Sequence, residues 1–279
     1  MSHWDTPYNQ LAFKASHNSY ESPYSMHQLL SWDPAQPDHF GCRGLEIDFT
    51  RHSDDSLGRS IGYFQVTHEQ GGSGVPLAYY LGQLLSYHLN HPQHDPVFVT
   101  LCIKSEAGSI KSFPSEMDNY LRTWFYAPAI FTPRRMLVDG MDLFGSVEST
   151  GWPPAGELRN HFFLCLSGTE KWKAFYAETD IGQRLCFADI DFPDDQPNPA
   201  FFRSGNRIVA NMNVFSADFP YWKVAVAELD RACMLVRGYK VNSGDLWEKA
   251  RVAHLNVIAT DEVEAHAWAK VGGEPFEPR

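Results

Sequence analysis

Apolar positions along this chain fall into two kinds of run that alternate from one end to the other. Short runs, apolar throughout or alternating with polar residues, predict strands at 11–15, 44–49, 61–66, 97–103, 162–166, 185–190, 208–212, 235–241 and 257–260. Longer runs with apolar residues at helical spacing predict helices at 77–89, 117–125, 172–179, 221–233 and 245–253, with shorter helical stretches at 25–32 and 134–143. The run at 97–103 is almost continuously apolar, as in a parallel strand covered on both faces. Strand and helix in alternation predict an α/β fold with parallel strands, closed into a barrel or left as an open doubly wound sheet. Both arrangements put working residues at the carboxyl ends of strands. Barrels of this kind reach 279 residues as one unit, so a single domain at 1–271 is expected, with 272–279 a flexible surface tail.

Three strand ends carry polar groups that no apolar core requires. In the first, Phe13, Ala15 and His17 share a face, which leaves His17 beside Asn18 at the strand's end. In the second, Leu45, Ile47 and Phe49 face one way while Glu46 and Asp48 face the other. Two adjacent carboxylates on a buried strand are costly to desolvate unless positive charge or donors compensate. That charge is either a divalent metal, since two carboxylates and the Asn18 amide carbonyl suit Ca²⁺ or Mg²⁺, or a salt bridge from Arg43 or Arg51. The third strand delivers His68 just past its end. Two histidines with a carboxylate pair at early strand ends are the equipment of metal-assisted general acid/base chemistry. The remaining histidines fall in loops or on helix faces and read as solvated or structural. Arg159, Arg237, Lys240 and Asp261 are candidates for the mouth of the site: Arg237 for a phosphate or headgroup, Asp261 to orient a histidine or a sugar hydroxyl. Tyr20, Phe64 and Trp152 read as packing.

Composition narrows the partners. A formal net charge of -11 argues against nucleic acid and against strong attraction to anionic membranes, leaving at most peripheral contact. Five cysteines are scattered without framework spacing, which predicts free thiols in a reducing compartment. No basic segment followed by an apolar run opens the chain and no stretch reaches membrane-spanning length, so a cytoplasmic protein is expected, or a secreted one whose signal has been removed. The glycine run at 70–74 either lets the backbone approach a phosphate or serves as a flexible connection, and it lacks the Lys-Ser/Thr ending of a P-loop.

Taken together, Ser16-His17-Asn18-Ser19-Tyr20, Gly41-Cys42-Arg43-Gly44-Leu45-Glu46-Ile47-Asp48 and Thr67-His68 resemble the successive motifs of the phosphatidylinositol-specific phospholipase C catalytic domain, in its bacterial and fungal calcium-dependent branch. The resemblance continues through Pro96 to Leu101, Gly151-Trp152-Pro153, Glu157-Leu158-Arg159 and Asn256 to Asp261, and so spans nearly the whole chain. It implies a distorted TIM-like (β/α) barrel and a phosphodiester substrate such as a phosphoinositide or its soluble headgroup. It also implies that His17 is the general base acting on a substrate hydroxyl, that His68 is the acid protonating the leaving oxygen, and that Asn18, Glu46 and Asp48 hold Ca²⁺ or, failing that, Mg²⁺. The product of attack by a neighbouring hydroxyl is a cyclic phosphate, whereas attack by water gives a linear one.

One position departs from the family pattern. A further acidic ligand is expected on the fourth strand, and Cys102 stands there. A thiol is a poor ligand for a hard cation. Glu106 is an alternative ligand at that strand's end, and Lys104, on the same face as Cys102, can offer positive charge to a phosphate. The other readings are a glycerophosphodiester- or sphingomyelin-type phosphodiesterase, which also pairs a first-strand histidine with Glu-x-Asp, and an inactive phosphate-binding module.

Overall fold

The strands that the sequence pattern separates come together as one sheet. A computed structural model describes residues 3–33, 40–52, 63–69, 74–105, 107–192, 205–270 and 275–279. Its strands are β1 (Leu11–Ser16), β2 (Gly44–Arg51), β3 (Phe64–Val66), β4 (Val97–Ile103), β5 (Phe162–Gly168), β6 (Phe187–Asp191), β7 (Val209–Asn213), β8 (Leu235–Tyr239), β9 (Val257–Thr260) and β10 (Phe276–Pro278). Eight of them pair in parallel around a closed ring, β1-β2-β4-β5-β6-β7-β8-β9 and back to β1. The helices α1 (Met26–Leu30), α2 (Leu77–Asn90), α3 (Phe113–Trp124), α4 (Leu143–Thr150), α5 (Glu170–Glu178), α6 (Phe219–Arg231) and α7 (Gly244–Val252) complete a TIM-like (β/α) barrel. The open doubly wound sheet is thereby set aside.

The barrel is irregular where its pairing thins: β8 and β9 pair only at Arg237 with Val257 and Gly238 with Ile258, and two further places are thin. Between β1 and β2 the ring closes through one pair, Ala15 with Gly44, and a Cβ on Gly44 would lie 2.5 Å from the Ala15 Cβ, so only glycine allows that approach. Between β5 and β6 only Cys165 with Phe187 and Leu166 with Ala188 pair, and the Lys173 ammonium from α5 reaches Asp189 (2.6 Å) and Asp191 (2.7 Å) of β6.

Inward-facing positions grade from apolar to polar along each strand, and this gradient places the site. At the amino ends Phe13, Phe98, Phe163 and Phe187 form an aromatic floor, with the Phe163 and Phe187 rings stacked at 3.9 Å and Phe98 on Phe163 at 5.4 Å. Two or four residues further on, the same face carries Glu46, Asp48, Cys102, Ser167, Asp189, Asn211 and Arg237, all buried. The opposite face of β2 (Leu45, Ile47, Phe49) packs with Leu77, Leu81 and Leu84 of α2.

Several expectations change. The run at 61–66 gives no barrel strand: residues 64–66 run antiparallel to β2 and lead His68 back to the rim. The stretch at 134–143 is helical only at its start, in the 3-10 turn Pro133–Arg135; α4 begins at Leu143, where the Asp142 side chain accepts the Gly145 N–H at 2.7 Å and caps it. The expected flexible tail contains β10, antiparallel to β1, with Phe276 edge-on to Phe13 at 5.4 Å. Arg159 lies at the amino-terminal face, donating to the Gln93 carbonyl (3.1 Å) ahead of β4, and so is no part of the mouth. Most of the glycine run (70–73) and Glu106 lie outside the described residues. All five cysteines are free, and among the described residues no helix is long and apolar enough to cross a membrane.

At the amino-terminal face a buried histidine makes stability depend on pH. His94 donates from Nδ1 to the Asp95 carbonyl (2.6 Å) and accepts at Nε2 from His88 Nδ1 (3.0 Å), and burial pushes its pKa from 6.5 down to about 4. Between those values the unfolded chain holds the extra proton, so stability is expected to fall as pH falls through that window. Urea unfolding across the window checks this: the decline should be shallower in His94→Asn.

Candidate active site

The polar end of the gradient opens into a cavity of about 500 Å³ at the carboxyl rim, lined by His17, Asn18, Glu46, His68, Cys102 and Lys104 on one side and by Ser167, Asp191, Asn211, Arg237, Tyr239, Lys240 and Asp261 on the other. Asp48 sits just behind the wall, with no exposed surface. The structure thus gathers His17, His68, Asn18, Glu46, Asp48, Lys104, Arg237 and Asp261 from strands distant in sequence.

His17 is fixed from below and from the side. Its Nδ1 lies 2.7 Å from Asp261 Oδ1, and Asn242 holds the other Asp261 oxygen at 2.5 Å. A nitrogen that donates to a carboxylate leaves the ring's lone pair on the other one, which here is Nε2. It lies 3.7 Å from Glu46 Oε2. The hydrogen bond from His17 outweighs partial burial and holds the Asp261 carboxyl below its usual range. Tyr239 stacks on the His17 ring at 5.6 Å and 16°. Asn18 turns the chain at φ +47°, a left-handed conformation asparagine tolerates, and its N–H donates to Glu46 Oε2 at 3.4 Å.

His68 is held in a parallel way but stands open, 59% exposed. Its Nδ1 lies 3.0 Å from Asp48 Oδ2, which again leaves Nε2 facing out. The same oxygen accepts from the Tyr20 hydroxyl (2.9 Å) and from Lys104 Nζ (2.9 Å). Three donors therefore crowd Oδ2. Oδ1, equally buried, has no hydrogen-bond partner among the described residues. Tyr20 packs against the core as expected, and its hydroxyl in addition lies between Asp48 and His68, 3.2 Å from the imidazole. Its place in Ser16-His17-Asn18-Ser19-Tyr20 was the only signal for this.

The carboxylate pair is compensated from across the barrel. Arg237 donates to Glu46 (2.6 Å) and to Asn211 (2.7 Å), which in turn donates to Ser167 (3.2 Å). Burial works to raise the Glu46 carboxyl, yet Arg237, His17 and Lys104 together hold it below its ordinary value. Burial works to lower the Lys104 ammonium, yet the charge and hydrogen bond of Asp48, with Glu46 behind it, push it up. Arg43 pairs with Asp95 (2.6 Å) and Arg51 with Glu116, so neither neutralises the pair. Oxygens of Glu46 and Asp48 and the Cys102 sulfur lie within 4.8 Å of one another. Burial and the Asp48 charge keep that thiol protonated.

No protein-family model matches the sequence, and no curated protein matches it. Solved structures do match in fold. A calcium-dependent phosphoinositol-specific phospholipase C from a Gram-negative Pseudomonas species, described with myo-inositol, superposes with a TM-score of 0.75 at 21% identity over 100% of this chain and 97% of that one. A Ca²⁺-dependent phosphatidylinositol-specific phospholipase C from Streptomyces antibioticus gives 0.72 at 18%, covering 98% and 99%. An Oleispira antarctica phosphodiesterase in complex with sn-glycerol-3-phosphate gives 0.54 at 11%, covering 94% and 98%. Over its full length, then, this chain has the barrel fold seen in calcium-dependent phosphoinositide phospholipases C.

Proposed function

We propose that this chain is a phosphodiesterase of the phosphatidylinositol-specific phospholipase C kind, cleaving a phosphodiester whose alcohol carries a neighbouring hydroxyl. The observation that carries this reading is the pair of imidazoles at one rim, each tied through Nδ1 to a carboxylate and each left with Nε2 free. His17 Nε2 takes the proton from the neighbouring hydroxyl, whose oxygen attacks phosphorus. The bond from phosphorus to the leaving oxygen then breaks, and His68 Nε2 delivers a proton to that oxygen. The product is a cyclic phosphate and a free alcohol. Asp261 and Asp48 keep each ring in the working tautomer and stabilise it when protonated. Arg237, Lys104 and Lys240 offer donors to phosphate oxygens and hydroxyls.

A divalent cation fits between the acids. The buried Asp48 Oδ1 has no hydrogen-bond partner among the described residues, and Glu46, close by, would be the second ligand, with the Asn18 amide at the edge. Ca²⁺ is the ion named for the Pseudomonas and Streptomyces enzymes. When bound, such a cation supplies positive charge against the developing charge on the phosphate oxygens. Next to these oxygens the Cys102 thiol makes this chain's donor set softer than an all-oxygen shell.

Phosphorus-31 NMR of the protein with glycerophosphoinositol and with glycerophosphocholine tests the reading. A cyclic phosphate resonance from the first is expected. A linear phosphate alone would move the assignment to the glycerophosphodiester type, and consumption of neither would remove it. Tyr20→Phe is expected to lower kcat roughly tenfold with little change in KM, because one hydrogen bond to a charged group that orients His68 is lost. Steady-state kinetics on the variant checks it.

A further inference from the structure

The third donor beside the carboxylate pair bears on which metal this site takes. Glu46, Asp48 and Cys102 each present one ligand atom, all within 4.8 Å of one another, and all three residues are buried. Asp48 Oδ1 is a second, independent sign of a missing partner: it is buried with no hydrogen bond among the described residues. Ca²⁺ is held by charge and by six to eight hard oxygens, roughly, at a flexible distance. The second requirement is not met here. Arg237 pairs with Glu46 at 2.6 Å and Lys104 with Asp48 at 2.9 Å, and any divalent cation has to compete with both, so the choice between ions falls to the kind of donor. One of the three donors is sulfur.

Two oxygens, one sulfur and an open side toward the cavity are instead the set that suits a borderline cation with three protein ligands and one exchangeable position. We propose that this site selects a thiophilic divalent cation, Zn²⁺ or its surrogate Cd²⁺, over Ca²⁺, with Cys102 as a direct ligand. The inference rests on the cation site of the proposed phosphodiesterase and concerns only which ion fills it. On binding, the Cys102 sulfur ligates as thiolate and its proton leaves to solvent. The fourth position faces the cavity, where a phosphate oxygen or water can sit.

Titration with Cd²⁺, followed by the ultraviolet thiolate-to-metal charge-transfer band, reads this directly and needs no turnover. The wild type is expected to develop the band to saturation at one equivalent, and Cys102→Ser to lack it. The other four cysteines serve as the internal control, since they remain in that variant. Calorimetric titration is expected to show Zn²⁺ bound at least about tenfold tighter than Ca²⁺ by the wild type, and the order reversed in Cys102→Asp, whose donors are all oxygen. Thermal melting of each variant confirms that it is folded. A wild type without the band, a band that persists in Cys102→Ser, or tighter Ca²⁺ binding by the wild type would each overturn the proposal. If the wild type still cleaves a phosphodiester in any of these cases, the metal preference fails while the activity stands.

Discussion

Replacing His17 with alanine is expected to lower turnover of an inositol phosphodiester by about 10²–10⁴-fold, the usual worth of a positioned proton-transfer group. The His17 imidazole combines a free lone pair with a carboxylate partner on the far nitrogen, and it is the buried one of the two that do. Asp261 loses a partner in the variant but keeps Asn242 and is partly exposed, so the fold should survive. Steady-state kinetics beside a thermal melt separates the two effects: a large loss of kcat with an unchanged melting temperature is the expected pair of results. His68→Ala should cost a similar factor on a substrate with an alkyl leaving group. It should cost even less in stability, because His68 is mostly in solvent.

Lys173→Met is expected to destabilise the protein by about 3–5 kcal/mol, the cost of removing one partner from a buried ion pair. Lys173 has no exposed surface, and its ammonium bridges Asp189, which is itself buried, and Asp191 at the cavity wall. Without the lysine, Asp189 is left buried without its cation in the barrel wall where β5 and β6 part after two pairings, and it must either stay charged there or take up a proton. The double variant Lys173→Met with Asp189→Leu removes the stranded charge and should recover much of the loss. Denaturant midpoints of the three proteins check this. Equal stability of wild type and single variant would mean that the β5–β6 opening is held by something else.

Much of the barrel was legible because its signal is local. Continuous apolar runs marked β4 and β5, period-two alternation marked β2, and the weak run at 208–212 did become β7. The same alternation placed Glu46 and Asp48 together on the inward face. What could not be read was the compensation of those acids. Glu46 meets Arg237 across 191 positions, and no local spacing encodes which strand faces which across a closed ring. Tyr20 looked like packing because a tyrosine's aromatic body hides the role of its hydroxyl until Asp48 and His68 are placed beside it. The β10 strand is three residues long, too short for a periodic signal, and is held by Phe276 packing on the aromatic floor. The place of Arg159 is legible from order alone: a residue that precedes a parallel strand lies at the amino-terminal face, away from the mouth.

In the proposed mechanism two imidazoles divide the proton work, His17 removing and His68 delivering. A comparison of leaving groups tests it most directly: the same inositol phosphate esterified to an alkyl alcohol and to p-nitrophenol, turned over by wild type, His17→Ala and His68→Ala. Because p-nitrophenolate departs without a proton, the His68→Ala defect is predicted to be large on the alkyl ester and mostly erased on the nitrophenyl ester, while His17→Ala stays equally impaired on both. Equal impairment of His68→Ala on the two esters, or an unimpaired His17→Ala, would contradict the assignment.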